Sequence, residues 1–307
     1  MLNKLKMEAI GKKITQHISA SGTEFGLFGF EEHETNSMFS WTEMNSILQN
    51  ASPNYPQLKL VNDGKLIDES CYSQTVHDKG RGTYNRLIPQ RLMAEMAGGA
   101  SLVLNHVEDF STHCKNLAVC LEKYFSCDVR INAYLSLNGE SSFGQHWDDH
   151  DVFILQLDGE KQWELYPETR EDPIAGGRPP KPMDKPTLMT LKPGEGLFVP
   201  RGIWHRVSPV GRSLHLTVTI DRTKYSDYLK WVVDLLLDHD SFRKTIDFSQ
   251  GVECMKGLDF SDIFQNEALF ERFKSSCQRD SYSNQSFHLP NGINPLRAQV
   301  LKNNEEK

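Results

Sequence analysis

A chain of 307 residues is long enough to bury a large core in one large domain or two modest ones. Its net charge of −7 and isoelectric point near 5.9 argue against direct binding to nucleic acid, because neutralising phosphates requires clustered Lys and Arg. The mean hydropathy is −0.51 and no apolar stretch approaches the roughly 20 residues that span a bilayer, so no membrane partner is expected.

Residues 1–128 are predicted to form a mixed α/β part. The first 19 residues carry four lysines and lack the continuous apolar core of a secretory signal, so we interpret them as a weak amphipathic leader. Beyond them, caps and apolar periodicity predict three helices and two strands. The expected elements are a helix capped by Ser40 and running toward Ile47, a strand at 58–61, a helix between Pro89 and Gly98, a strand at 101–105, and a helix through Leu117, Leu121 and Tyr124.

The six cysteines are scattered along the chain. They stand at positions 71, 114, 120, 127, 254 and 277, without the C-x-x-C pairing of a metal or redox motif. Scattered cysteines are typical of a reducing compartment. We therefore expect a cytoplasmic protein.

Residues 129–221 are rich in predicted strands and form the expected central domain. Between 129 and 137, apolar residues alternate with polar ones, and Asn132 and Tyr134 belong to the polar row. The alternation returns between 214 and 220, where His215 and Thr217 are polar. Such a row indicates either a barrel interior that holds a ligand or the solvent face of an ordinary strand. His215 is equally well explained as a structural histidine.

One short motif points to a metal site. His146 and Asp148 are two residues apart, and residues i and i+2 of a strand project to the same side. His205 follows a short apolar strand and a turn, so a barrel could bring it to the same ion. Two imidazoles and one carboxylate form the facial triad of non-haem iron oxygenases. The alternative is a surface loop rich in His and Asp, since Asp149 and His150 follow directly.

The run after this motif predicts a hairpin. Asp158-Gly159 separates two strand-like segments, which is a strong signal for a two-residue turn. In the second segment Lys161 shares a face with Trp163 and Leu165. A buried lysine without a partner is unfavourable, and a bound dicarboxylate would supply the missing charge. Alternatively, Lys161 lies in the turn and extends into solvent.

The remaining segments are a long loop and a helical end. Residues 167–186 are rich in Pro and Gly and are expected to form a lip or lid, or else a disordered insertion. Residues 222–307 are predicted to be helical and to fray after Cys277. A stripe of apolar residues in this region indicates a core or a homodimer face; its members are Leu229, Val232, Val233, Leu236 and Leu237.

Residues 129–220 resemble the JmjC/cupin-type Fe(II)- and 2-oxoglutarate-dependent oxygenases, specifically the ribosomal oxygenases and their smaller bacterial relatives. The resemblance covers about a third of the chain and extends more faintly upstream. The segments that carry it are Asn132-Ala133-Tyr134, Gln145-His146-Trp147-Asp148, Asp151-Val152-Phe153, Gln156, Gly159-Glu160-Lys161-Gln162-Trp163 and Pro200-Arg201-Gly202-Ile203-Trp204-His205.

The resemblance implies a mainly β fold with flanking helices, built on a double-stranded β-helix (jelly-roll or cupin) barrel. It implies that His146, Asp148 and His205 bind Fe(II), and that Lys161 and Tyr134 hold the distal carboxylate of 2-oxoglutarate. Asn132, Thr217 and His215 are further expected pocket residues, and dioxygen is the expected oxidant. The implied reaction is hydroxylation of a carbon in a protein or peptide side chain.

Three alternatives remain open. The same chemistry could act on a small metabolite, because residues 222–307 show too weak a helical pattern for the complete winged helix of the ribosomal oxygenases. A different cupin metal enzyme would use extra ligands, for which Glu140 and His150 are the nearby candidates. A non-catalytic cupin binding module would tolerate loss of the triad, which this chain retains.

Overall fold

The computed structural model describes residues 2–22, 24–35, 37–51, 53–138, 143–238, 240–249 and 266–279. Its helices are α1 Leu2–Ser21, α2 Glu32–Thr35, α3 Trp41–Asn50, α4 Pro89–Ala97, α5 Thr112–Phe125, α6 Tyr225–Leu236 and α7 Glu267–Arg279. Its strands are β1 Gly26–Gly29, β2 Leu58–Asn62, β3 Lys65–Leu66, β4 Ser73–Asp78, β5 Gly82–Leu87, β6 Ser101–Leu104, β7 Asp128–Ser136, β8 Phe143–His146, β9 Asp151–Leu165, β10 Thr187–Leu191, β11 Glu195–Val199 and β12 His205–Asp221.

Two long strands, β9 and β12, organise the barrel. Their outer halves, around Asp151 and Ile220, pair with each other and continue through β7, β6, β2 and β3 on one side and through β11 and β1 on the other. Their other halves, around Leu165 and His205, pair again, with β10 and β8 at the two edges. Both strands therefore pass from one antiparallel sheet into a second. This arrangement is the expected double-stranded β-helix.

The prediction of a hairpin at Asp158-Gly159 is wrong. The chain does not reverse there, because β9 continues to Leu165 and remains paired with β12 on both sides of this point. Instead Gly159 has a φ of +63° and bends the strand, opposite a register shift in β12. The buried Gln156 amide stabilises the bend by donating to the carbonyl oxygens of Asp158 (2.8 Å) and Gly159 (3.0 Å).

Substitution at this bend should be destabilising. In Gly159→Ala the new Cβ would lie 1.9 Å from the Arg212 carbonyl oxygen, and the residue would keep a left-handed φ. We expect a loss of at least ~2 kcal/mol in the free energy of unfolding, measured by chemical denaturation. Gly211→Ala is the matched control, because Gly211 also has a positive φ (+76°) but has open space around its Cβ. Equal losses in both variants would contradict the role of the close contact.

The main core lies between the larger sheet and the N-terminal helices. One face of α1 is buried, through Met7, Ile10, Ile14 and Ile18, and the helix packs against α5. Residues 2–21 therefore form a helix that contributes to the main core. The other predicted elements of this region are confirmed: α3 is capped by the Ser40 hydroxyl, and α4, α5, β2 and β6 coincide with the predicted segments.

A smaller core fills the barrel interior. Its members are Val152, Ile154, Trp163, Leu165, Leu191, Leu197, Val199 and Ile203. The polar row of β7 faces the same interior, because Asn132 and Tyr134 lie opposite Thr217 and His215 in the register with β12. Of the two explanations of that row, the structure supports the barrel interior.

The C-terminal part packs as a small helical pair. Tyr228 of α6 stacks edge-on against Phe273 of α7, with ring centroids 5.1 Å apart. Of the predicted apolar stripe, Val232 is buried, whereas Leu229 and Val233 are exposed. None of the described helices is long and apolar enough to cross a bilayer. The predicted fraying after Cys277 falls almost entirely outside the described residues.

Candidate metal centre and cosubstrate pocket

Three potential ligands converge at one end of the barrel. The ligand atoms of His146, Asp148 and His205 all lie within 4.8 Å of one another, and the Nε2 atom of His205 is 3.6 Å from Oδ2 of Asp148. The two histidines are direct neighbours across β8 and β12, with ring centroids 4.2 Å apart. No other trio of His, Cys, Asp and Glu side chains in the described part of the chain converges in this way.

Both imidazoles are oriented by backbone carbonyls. Nδ1 of His146 is 2.9 Å from the Gly144 oxygen, and Nδ1 of His205 is 3.0 Å from the Ile203 oxygen. A carbonyl oxygen only accepts, so each Nδ1 carries the proton and each Nε2 keeps a free lone pair. Burial, together with the neighbouring His146, lowers the pKa of His205 and keeps its ring neutral. Two imidazoles and a carboxylate suit a divalent first-row metal.

Asp148 reaches the centre by a different route from the one predicted. Strand β8 ends at His146, so the period-two argument does not apply to Asp148, which lies in the following irregular segment. The backbone N–H of Gly202 donates to the Asp148 carbonyl oxygen at 2.9 Å and anchors that segment. The side chain of the neighbouring Asp149 instead contacts His150, with 3.0 Å between Oδ1 of Asp149 and Nδ1 of His150.

The candidates for extra ligands do not add to this trio. His150 is paired with Asp149 and is not part of the converging group. Glu140 lies outside the described residues. The observed donor set is therefore two histidines and one aspartate.

Lys161 is buried in the interior with 1% of its surface exposed. Desolvation alone lowers its pKa to about 7, so no neighbouring carboxylate compensates its charge. Its Nζ atom lies 5.9 Å from the centroid of the Tyr134 ring. Of the two expectations for this residue, the buried one is observed, and solvent exposure in a turn is not.

Tyr134 and His215 form the wall beside Lys161. Their rings stack in parallel, with centroids 4.8 Å apart, and Nδ1 of His215 is buried without a hydrogen-bond partner. Burial and the neighbouring Lys161 lower the pKa of His215, and burial raises the pKa of Tyr134. Both groups are therefore neutral at pH 7 and offer polar atoms to a ligand.

Trp163 connects the pocket with the metal centre. Its ring centroid lies 5.8 Å from that of His205 and 6.3 Å from that of His215, and its Nε1 atom is buried without a partner. The structure thus brings the trio and the lysine pocket into one interior space. Thr217 belongs to the same interior wall and is 9% exposed.

An interaction network behind Asn132 was not foreseen. The Asn132 Oδ1 atom accepts from the backbone N–H of His106 at 3.2 Å, and His106 contacts the buried Glu108 at 3.0 Å. Glu108 in turn accepts from the Ile131 N–H at 2.9 Å. No local pattern could have indicated this network, because His106 lies in the connection after β6 whereas Asn132 lies in β7, 26 residues further along the chain.

The comparisons with known proteins agree with this geometry. Residues 104–228 match the JmjC domain family. Bifunctional lysine-specific demethylase and histidyl-hydroxylase NO66 of Drosophila persimilis is 26% identical over 240 residues, which cover 76% of this chain and 34% of that protein. Ribosomal oxygenase 1 of Gallus gallus is 27% identical over 247 residues, which cover 76% of this chain and 39% of that protein.

The chain spans between 24% and 39% of the length of the curated relatives that it matches. Among solved structures, YcfD of Escherichia coli has a TM-score of 0.59 at 14% identity, with 94% of this chain and 78% of that chain covered. The likeness establishes the fold. Further structures of YcfD, a ribosomal oxygenase, contain cobalt with 2-oxoglutarate or with succinic acid.

Proposed function

We propose that this chain is an Fe(II)- and 2-oxoglutarate-dependent dioxygenase that hydroxylates a carbon of a protein or peptide side chain. One observation carries the proposal: a His-Asp-His trio and a buried, uncompensated ammonium group share one interior space. Burying an ammonium group without a partner is unfavourable, so a bound anion beside it would stabilise the site. A bound dicarboxylate that also reaches the metal explains both features.

His146, Asp148 and His205 would hold the iron through Nε2, a carboxylate oxygen and Nε2. When bound, the iron with 2-oxoglutarate and dioxygen would supply the oxidising power, with succinate and carbon dioxide as coproducts. The chain itself fixes the geometry: the carbonyls of Gly144 and Ile203 orient the two rings. Because the chain supplies three donors, a bound metal would have further positions for the cosubstrate and the oxidant.

Lys161 would bind the distal carboxylate of 2-oxoglutarate, with the Tyr134 hydroxyl as a second donor. His215 would support Tyr134 by stacking, and Asn132 and Thr217 would complete the polar wall. The apolar interior around Trp163 would exclude water from the ion pair, which strengthens it. These roles extend the sequence-based assignment of the pocket.

A polypeptide substrate is favoured over a free metabolite. The relatives include proteins named as histidyl-hydroxylases and ribosomal oxygenases. We also retain two finer proposals, a cytoplasmic location and a homodimer through the C-terminal helices, for which the exposed apolar residues Leu229, Val233 and Leu237 provide a surface. The division into residues 1–128, 129–221 and 222–307 also stays a proposal: β7 begins at Asp128 and β12 ends at Asp221, while β1, β2, β3 and β6 extend the same sheet from the first part.

Two measurements test this function. Purified protein with ferrous iron should convert 2-oxoglutarate into succinate even without the true substrate, because uncoupled turnover needs only the iron and cosubstrate sites. Mass spectrometry of cells with and without the active protein should then reveal one added oxygen on a polypeptide. Added oxygen only on small metabolites would refute the polypeptide substrate, and failure of succinate release would refute the oxygenase.

Binding of 2-oxoglutarate should weaken as the pH rises. Lys161 has a pKa of about 7 in the ligand-free protein, and only its charged form pairs with the carboxylate. Below pH 7 Lys161 is mostly charged and can pair with the carboxylate directly. Above pH 7 Lys161 is mostly neutral and must take up a proton when the ligand binds. The dissociation constant should therefore increase roughly tenfold between pH 6 and pH 8. Isothermal titration of the Mn(II)-loaded protein in buffers of different ionisation enthalpy would measure the dissociation constant and the number of protons taken up. A dissociation constant that does not change with pH would contradict the proposal.

A further inference from the structure

The turn that precedes His205, residues 200–204, makes two sets of contacts. The first is with the metal centre. The second is with residues 168–173, which we call the strap and which belong to the long Pro- and Gly-rich loop. The structure describes every residue of the strap, and none of them belongs to a helix or a strand.

We propose that the strap is a positioning element for the metal centre, acting through the turn on Asp148 and His205, with Thr169 as its principal residue. The inference rests on the proposed function, because it assumes that these two residues bind the metal. The strap touches none of the three ligands itself in the contacts described, so its residues are positioning residues and not catalytic ones.

The first set of contacts joins the turn to two of the three ligands. The Gly202 N–H donates to the Asp148 carbonyl oxygen at 2.9 Å, and the Ile203 carbonyl oxygen accepts from Nδ1 of His205 at 3.0 Å. A shift of the turn would therefore move both side chains relative to His146. Partners that orient ligands in this way strongly affect metal affinity.

The second set of contacts joins the turn to the strap. Trp204 is 6% exposed, and its Nε1–H donates to the Thr169 hydroxyl at 3.0 Å. Pro173 lies so close to Gly202 that a Cβ there would be 2.8 Å from the proline ring, and Gly202 has a φ of +88°. The Arg201 guanidinium also pairs with Asp172.

These contacts differ in their expected importance. The pair between Arg201 and Asp172 is open to water, since 79% of the Asp172 side chain is exposed, and such pairs contribute little. The Trp204 N–H is buried, and removing its acceptor would leave an unsatisfied donor, which is more costly. Thr169 should therefore matter more than Asp172.

The test is metal affinity, measured directly by Co(II) titration of the full-length protein. Thr169→Val keeps the side-chain shape but removes the acceptor, and we expect the Co(II) dissociation constant to rise about five- to tenfold. Thr169→Ser retains a hydroxyl and should bind Co(II) within about twofold of the wild type. Asp172→Asn should have a smaller effect than Thr169→Val. Affinity for 2-oxoglutarate at saturating metal should change little.

Met183→Ala is the matched control, because Met183 belongs to the same loop and is fully exposed (100%). Its Co(II) affinity should equal that of the wild type. Unchanged affinity in Thr169→Val, or equal losses in Met183→Ala, would overturn the strap proposal. If Thr169→Val fails to fold, Thr169→Ala, which removes the same acceptor without adding bulk, should show the rise in the Co(II) dissociation constant, and unchanged affinity in that variant would overturn the proposal. Absence of Co(II) binding by the wild type would instead refute the proposed function.

Discussion

Replacing Asp148 with asparagine is expected to lower succinate release by more than about a hundredfold. The carboxylate is the only negatively charged member of the trio, and a neutral amide would neither balance the charge of a divalent metal nor bind it as strongly. The loss should appear both as weaker Co(II) binding and as lost turnover at saturating metal. The same direction is expected for His205→Ala, which removes a buried imidazole from the centre.

Asp149→Asn provides the matched control for this experiment. Asp149 is the adjacent residue and carries the same charge, but it pairs with His150 at 3.0 Å and is not part of the converging group. Its metal affinity and succinate release should stay within about threefold of the wild type, as for a partly exposed pair. If both substitutions abolished activity, or if only Asp149→Asn did, the assignment of Asp148 as a ligand would be incorrect.

Removing the Lys161 ammonium should raise the dissociation constant for 2-oxoglutarate about tenfold or more while leaving metal binding nearly intact. A charge-assisted hydrogen bond in a buried pocket contributes ~1.5–3 kcal/mol, which corresponds to this range. Both Lys161→Ala and Lys161→Met should show the effect in titrations at saturating Mn(II). Lys161→Met also keeps most of the side-chain volume, so its loss of affinity would report on charge rather than on packing.

Lys161→Met should at the same time leave the ligand-free protein as stable as the wild type or more stable. The ammonium is buried without a compensating carboxylate, so an apolar chain of similar length suits the pocket better. Lys192→Met, a substitution at an exposed lysine in the turn before β11, serves as the control for a general effect of lost charge. Unchanged 2-oxoglutarate affinity in Lys161→Met would refute the cosubstrate pocket as assigned.

The sequence by itself was sufficient to predict several features, because each depends on short-range chemistry. The Ser40 cap, Pro89 at the start of α4 and the alternation along β7 are local patterns, and each has the expected structure. The barrel fold was predicted from the resemblance, and the comparisons confirm it. The identities of the three converging residues were also predicted from residue type and spacing, although the strand argument for Asp148 was wrong.

Only the tertiary structure decided which local signals prevail and which distant groups meet. Asp158-Gly159 has the composition of a turn, yet β12 pairs with β9 on both sides of it, and the long ladder of hydrogen bonds outweighs the local preference. The burial of Lys161 and the contact of Trp204 with Thr169 depend on pairings between segments far apart in sequence. The energies of such contacts arise only when the barrel closes, because closure alone removes these groups from water.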